Sequence, residues 1–300
     1  MAKAPRHHTR AIKTCYAPSV TRHKETEKPA RVSGIAMQLV TCFDYLFTDT
    51  AALRQLISVR MEITALSSAK LSAAENRLLA ALPRKDRLQF LSGCDLVDLE
   101  FPEILYEPQE RIQHVYFPID SFVSFASVID GNSRLEVGMA GSEGMVGTPL
   151  LLGTSTSSVM ALVQGPGRAW RMKATLFKRE LEHSQPLQRK LYAYVQARMS
   201  QLAQAAACTH FHLVEERLIR WLLMTQDRSQ SDELFLTQEF LSQMLGVRRV
   251  GISNAATSLQ QRGLISYSRG KIKVLNRAGL IAACCQCYQA DIKHYRNAVG

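Results

Sequence analysis

The chain has 300 residues, 46% of them hydrophobic, and a formal net charge of +11. Its length and apolar content allow more than one buried core, so two folded domains are expected behind a loosely attached N-terminus. No uninterrupted apolar run approaches the ~20 residues a membrane helix needs, there is no secretion signal, and the odd set of seven cysteines is not spread as a disulfide framework, which points to a reducing cytoplasm.

The positive charge is segregated toward the two ends. Residues 1–60 hold ten Lys or Arg against four acids, 61–235 eighteen against twenty, and 236–300 nine against only Glu239 and Asp291. A C-terminal segment with that excess suits a polyanion, whereas the near-neutral middle suits another task.

Residues 1–72 are expected to form a basic, partly disordered extension, rich at its start in Lys, Arg, His, Thr and Pro with no apolar period. Met61 would make a natural start for a bacterial-type domain; the competing reading is a basic arm that adds non-specific DNA affinity. From Asn76 a helical pattern runs through Leu78, Leu79 and Leu82 and again from Asp86, and then the period changes to two. The segments His114–Pro118, Ser121–Val128, Arg134–Gly138, Val159–Val163 and Arg168–Met172 are short, β-rich and separated by turn residues. Their regular spacing over residues 73–184 predicts a jelly roll or barrel.

Gln185 to about Ala207 lacks glycine, and its one proline, Pro186, sits in the first turn, so a long helix is expected. Tyr192, Val195, Met199, Leu202 and Ala206 recur three and four residues apart, the seam of a helix that pairs with a second copy; an ordinary helix packed on its own β-domain is the alternative. Residues 185–212 are thus the expected dimerisation helix and hinge. Val214–Thr225 follows as an amphipathic helix with Leu218, Ile219, Leu222 and Leu223 on its core face, opening a domain over 213–300.

That domain contains two short helices joined at Gly246. Thr237 is a good N-cap, Glu239 suits the positive end of the helix dipole, and Leu236 and Leu241 occupy staple positions. Gly246 tolerates the positive φ of a helix end, and a second helix, 247–262, resumes in a new direction. Ile252, Ala255, Ala256 and Leu259 give it one narrow apolar face, and its other side presents Val250, Asn254, Thr257 and Gln261 with Arg249 and Ser253 flanking. Arg249 can donate twice to guanine, Asn254 can pair with adenine, and Val250 can meet a thymine methyl. Arg248 and the Thr237 hydroxyl are assigned to phosphates, as positioning contacts, and the neighbouring Gln238 completes the DNA-facing set. Leu264–Leu275 then alternates about Arg269-Gly270, a hairpin whose Arg269, Lys271 and Lys273 carry charge outward. Helix pair plus basic hairpin reads as a winged helix-turn-helix. The bland alternative is a helix pair in a larger helical domain with merely solvated arginines.

Val214-Glu-Glu-Arg-Leu-Ile-Arg-Trp, Leu236-Thr-Gln-Glu, Leu245-Gly-Val-Arg-Arg249, Leu259-Gln-Gln-Arg-Gly-Leu-Ile265 and, earlier, Leu105-Tyr-Glu-Pro, His114-Val-Tyr-Phe-Pro and Gly141-Ser-Glu-Gly-Met-Val-Gly147 resemble the Crp/Fnr family of bacterial transcription regulators over about residues 75–288. The resemblance implies an α+β chain: a jelly-roll β domain of cyclic-nucleotide-binding type, a long dimerisation helix and a C-terminal winged helix-turn-helix. By position, the family's base-reading residues fall on Arg249, Val250 and Asn254. The cyclic-AMP receptor type has an acid where Val250 stands and an arginine where Asn254 stands, so its operator does not transfer. The glutamate and arginine that hold a cyclic nucleotide in such members fall on Thr148 and Ser158, which argues against cyclic AMP and leaves the effector unassigned. Glu143, a few residues early, reads as a surface carboxylate in a turn.

Cys284-Cys-Gln-Cys287 and Cys208-Thr-His-Phe-His212 are sulfur- and imidazole-rich, but neither cluster alone supplies four suitably spaced ligands, so no metal or cofactor is expected. No phosphate-binding glycine loop, metalloprotease histidine pair or nucleophile elbow is present, so enzyme function is not expected. The expectation is a cytoplasmic, homodimeric, sequence-specific transcription regulator without a membrane association. Its partners would be double-stranded DNA, a second copy and RNA polymerase, and a signal at the β-roll would act through the hinge near His210–Val214. The alternatives are a redox- or metal-gated regulator, or a ligand-binding module whose C-terminal domain binds protein instead of DNA.

Overall fold

Asn76 starts the folded part by doing two jobs at once. Its side-chain oxygen accepts from the backbone N–H groups of Leu78 and Leu79, capping α1 (Arg77–Ala80), while its amide donates to the carbonyls of Pro118 and Gly144 at 3.0 and 2.8 Å. The computed structural model describes residues 75–129, 133–229 and 231–300; the expected basic extension, 1–72, lies outside them. All described residues fall in one of the chain's two compact units, Ala65–Gly300.

After α2 (Arg84–Ser92) come seven strands: β1 (Asp95–Leu99), β2 (Ile104–Tyr106), β3 (His114–Pro118), β4 (Phe122–Ile129), β5 (Ser133–Ala140), β6 (Met160–Gly165) and β7 (Gly167–Lys173). They form two antiparallel sheets, ordered β1-β7-β3 and β2-β6-β4-β5. Val115, Phe117, Val123, Phe125, Ala161, Val163, Ala169 and Met172 fill the core of this roll, and Phe90 of α2 closes it edge-on against Phe117. The five expected strands are all present. The two unexpected ones are β1, mostly exposed and with its apolar residues not alternating, and β2, three residues long; neither leaves a strong period-two signal.

α3 (Ala174–His183) leads to Ser184, whose hydroxyl accepts from Leu187 N and caps α4 (Gln185–Phe211), with Pro186 in its first turn. Leu187, Leu191, Tyr194 and Ala197 make its buried face against the roll. α5 (Val214–Ser229) follows, and all four residues of its expected core face are fully buried. β8 (Glu233–Phe235), α6 (Gln238–Leu245), α7 (Arg249–Gln261), β9 (Ile265–Ser268) and β10 (Lys271–Val274) then build a second core with α8 (Arg277–Ala283).

The last helix, α9 (Cys287–Val299), has no counterpart in the expectations from sequence. It lies along α4: Lys190 Nζ donates to the Val299 carbonyl at 2.7 Å, and Gln204 Nε2 to Cys287 Sγ at 3.0 Å. Tyr288, Asp291, Tyr295 and Val299, spaced by three or four, are the period that marks its inner face.

The roll and the C-terminal part meet through both polar and apolar groups. Trp221 Nε1 of α5 donates to Glu136 of β5 at 3.0 Å, Ser124 Oγ donates to the other carboxylate oxygen at 2.6 Å, and Phe240 of α6 packs on Ala126, Met160 and Leu162. Glu136 keeps some surface as a residue, but its carboxylate is enclosed, and burial pushes its pKa up to about 7. Glu143 corrects the reading of a surface carboxylate: it is largely buried and ion-paired with Arg228 of α5 at 2.7 Å. The turn brings it beneath α5, a long-range packing that its local sequence cannot announce.

Candidate nucleic-acid interface

Thr237 caps α6 as expected, its hydroxyl oxygen accepting from Phe240 N at 3.1 Å, with Leu236 and Leu241 both buried. At the other end Gly246 adopts φ 62°, and the N–H groups of Gly246 and Val247 donate to the carbonyls of Gln243 and Ser242, a Schellman closure. Because Val247 is used in that closure and Arg248 is extended, α7 begins at Arg249, two residues later than the expected 247. Arg248 is therefore the N-cap, with no side-chain cap bond of its own.

Ile252, Ala255, Ala256 and Leu259 are buried, as the apolar face requires. On the opposite side Arg249, Asn254 and Thr257 are exposed, and Val250 is 63% exposed although apolar. Ser253 is half-buried, and its hydroxyl donates to Gln238 Oε1 at 2.8 Å. That bond locks α7 onto α6, so these two residues position the reading helix as well as edging its face. Arg248, Arg249 and Arg269 have no ion-pair partner among the described residues.

The hairpin turns at Arg269 (φ 49°) and Gly270 (φ 77°), the double positive φ of a type I′ turn. Tyr267 OH donates to the Leu236 carbonyl at 2.9 Å, tying this wing to the start of α6. Lys271 departs from the free outward cation expected of it: its Nζ lies 2.6 Å from Glu233 and 5.5 Å from the centre of the Phe235 ring, and Lys273 is 3.8 Å from the same carboxylate. The cause is β8, which pairs with β10 and sets Glu233 opposite Lys273; alternation over Glu233-Leu-Phe was the available signal. Arg269 at the tip is the wing's unpaired charge among the described residues.

Residues 216–283 match the model of the Crp-like helix-turn-helix domain. The C-terminal part is thus similar to Crp-like helix-turn-helix domains. Over 64–69% of its length the chain shares the fold of solved regulators. FixK2 from Bradyrhizobium japonicum is similar at 16% identity and a TM-score of 0.55, covering 64% of this chain and 98% of that one. A regulator of the crp/fnr family from Eubacterium rectale gives 16% and 0.56, covering 69% and 96%. The c-di-GMP responsive global regulator CLP of Xanthomonas campestris gives 19% and 0.53, covering 64% and 99%. No curated protein matches the chain.

Leading into the Crp-like domain, α4 carries an apolar stripe on its outer side. Tyr192, Met199 and Leu202 are 46, 60 and 42% exposed and Ala206 is exposed, while Val195 is half-buried against the roll. In the roll, Thr148 opens a short 3-10 turn, Thr148–Leu152, and Ser158 is exposed just before β6. No charged side chain occurs anywhere in 147–158. Among the described residues, no helix is long and apolar enough to cross a membrane.

The two sulfur-rich segments, each short of a ligand set by itself, come together. Cys208 and His212 at the end of α4 meet Cys285 and Cys287 at the start of α9, with one ligand atom from each all within 4.8 Å of one another. The expectation of no metal site rested on treating the segments separately, and it did not foresee α9.

Proposed function

We propose that the chain is a sequence-specific, DNA-binding transcription regulator that acts as a homodimer and is not an enzyme. The observation that carries this reading is the two-sided α7: its alanine face is buried in the Crp-like domain while Arg249, Val250, Asn254 and Thr257 stand exposed at its outer face. The N-terminal residues of such a helix reach base edges in the major groove. Arg249 would donate to guanine, Asn254 pair with adenine and Val250 meet a thymine methyl, while Arg248, Thr237 and Arg269 would hold phosphates.

The exposed stripe on α4 supports pairing of two copies through Tyr192, Met199 and Leu202, which would set two α7 helices about 34 Å apart on a pseudo-palindromic site. Signal would pass from roll to reading head through Trp221–Glu136 and the α4–α5 corner. Cyclic AMP is a poor fit for that signal, because a cyclic phosphate would meet Thr148 and Ser158 with no guanidinium in 147–158. RNA polymerase is the further partner this reading implies.

Capture of genomic fragments on the purified full chain, followed by footprinting, tests the proposal. A protected site with two half-sites one turn apart is expected; retention of all fragments in proportion to length alone would contradict it.

A further inference from the structure

We infer that Cys208, His212, Cys285 and Cys287 form a closed tetrahedral site for a single zinc ion, which staples the α4–α5 corner to the start of α9. This goes beyond the DNA-binding reading and does not depend on it.

The geometry is that of one ion's coordination shell. A regular tetrahedron with Zn–S near 2.3 Å and Zn–N near 2.05 Å has edges of about 3.8 Å between sulfurs and about 3.6 Å from sulfur to nitrogen. Cys208 Sγ and Cys285 Sγ are 3.8 Å apart, and Cys287 Sγ and His212 Nδ1 are 3.5 Å apart. No separation among the four ligand atoms exceeds 4.8 Å. In an iron-sulfur cubane each thiolate sits on its own iron and the ligand sulfurs spread wider than this, so a mononuclear ion fits better. A disulfide would use two sulfurs and leave the imidazole and the third thiol without a purpose.

The surroundings suit a structural site. All three cysteines are buried and His212 is half-buried, which leaves little room for a water or substrate in the shell. Gln204 Nε2 donates to Cys287 Sγ at 3.0 Å, an outer bond that orients a ligand. Binding Zn²⁺ would release the three thiol protons and leave the ZnS₃N unit with one negative charge. Arg220, close enough to Cys208 and Cys287 to feel their charge, offsets part of it, Asp291 at 3.0 Å taking up the rest of the guanidinium's charge. His212 is the C-cap of α4, so an ion held there fixes the direction in which α5 leaves.

The test is metal analysis of the full chain purified under reducing conditions, then replacement of zinc by Co²⁺. Expected are about one zinc per chain and the intense visible bands of tetrahedral cobalt with sulfur charge transfer. Cys285→Ser and His212→Ala should each weaken metal retention against a chelator by at least ~10-fold, whereas Cys284→Ser, next to the site but outside the set, should leave it unchanged. Should those variants misfold, alkylation of the native chain still decides: Cys208, Cys285 and Cys287 should be protected as purified and become alkylated once a chelator strips the metal, and equal labelling before and after chelation would count against the site. Folded protein with no zinc and no tetrahedral cobalt spectrum overturns the inference. So does an iron-sulfur chromophore in protein purified without oxygen, or a Cys208–Cys285 disulfide in reducing buffer.

Discussion

The indole N–H of Trp221, on the first helix of the C-terminal part, donates to the Glu136 carboxylate on β5 of the roll at 3.0 Å. Burial raises this carboxylate from 4.5 to about 7, outweighing the opposing hydrogen bonds from Ser124 and Trp221 and the nearby Arg228 and Arg198. A group whose pKa is raised on folding contributes stability below its unfolded value and loses it as pH climbs through the folded one. The folded state should therefore carry this group's full contribution below about pH 4.5 and lose it as pH rises toward 7, by at most about 3 kcal/mol. Glu136→Gln should flatten that slope in urea unfolding followed from pH 5 to 8. An unchanged slope would show that Glu136 is not the titrating group.

Two glycines of the helix-turn-helix should respond in opposite directions. A Cβ on Gly246 would lie 2.9 Å from Leu135 Cδ1 on a backbone with φ 62°. Gly246→Ala should therefore destabilise by about 1–3 kcal/mol. Gly251 sits inside α7 with its nearest neighbour, Val214 Cγ1, at an ordinary 3.7 Å. Gly251→Ala should stabilise by about 0.5–1 kcal/mol through helix propensity. Denaturant midpoints at constant m-value check both.

Within the wing, the ion pair of Lys271 with Glu233 changes which substitution matters. Arg269→Ala should weaken binding to all DNA sequences alike and lower the salt slope by about 1. Lys271→Ala should cost less, because Glu233 already neutralises that charge. A larger loss for Lys271 than for Arg269 would place the DNA backbone elsewhere on the wing.

The stripe on α4 gives a test of assembly. Met199→Glu puts a charge where a partner helix would bury a 60% exposed methionine. It should raise the dimer dissociation constant by at least ~10-fold in sedimentation velocity, as expected for a charge forced into an apolar interface. A wild-type chain that sediments as a monomer at all concentrations would rule out pairing through this face.

Much of the Crp-like domain was legible because its determinants are local. Thr237 as cap, Gly246 as helix end, the Ile252/Ala255/Ala256/Leu259 face and the Arg269-Gly270 turn each depend on neighbours within a few residues, and each appears as expected. What sequence could not show depends on residues far apart in the chain. Glu143 reads as a turn carboxylate until α5 sets Arg228 over it, and Lys271 reads as a free cation until β8 supplies Glu233. Cys208 and Cys285, 77 residues apart, look like separate fragments until α9 folds back along α4.

The most direct test of the central claim, that α7 reads DNA, is a binding titration of the full chain and of Arg249→Ala. Both are measured on a captured fragment and on random DNA, at two salt concentrations. Binding should fall steeply with salt on both DNAs, with a large offset favouring the captured fragment. Arg249→Ala should remove about 1–3 kcal/mol of that offset while leaving affinity for random DNA far less affected. Equal losses on the two DNAs, or no salt dependence at all, would contradict it.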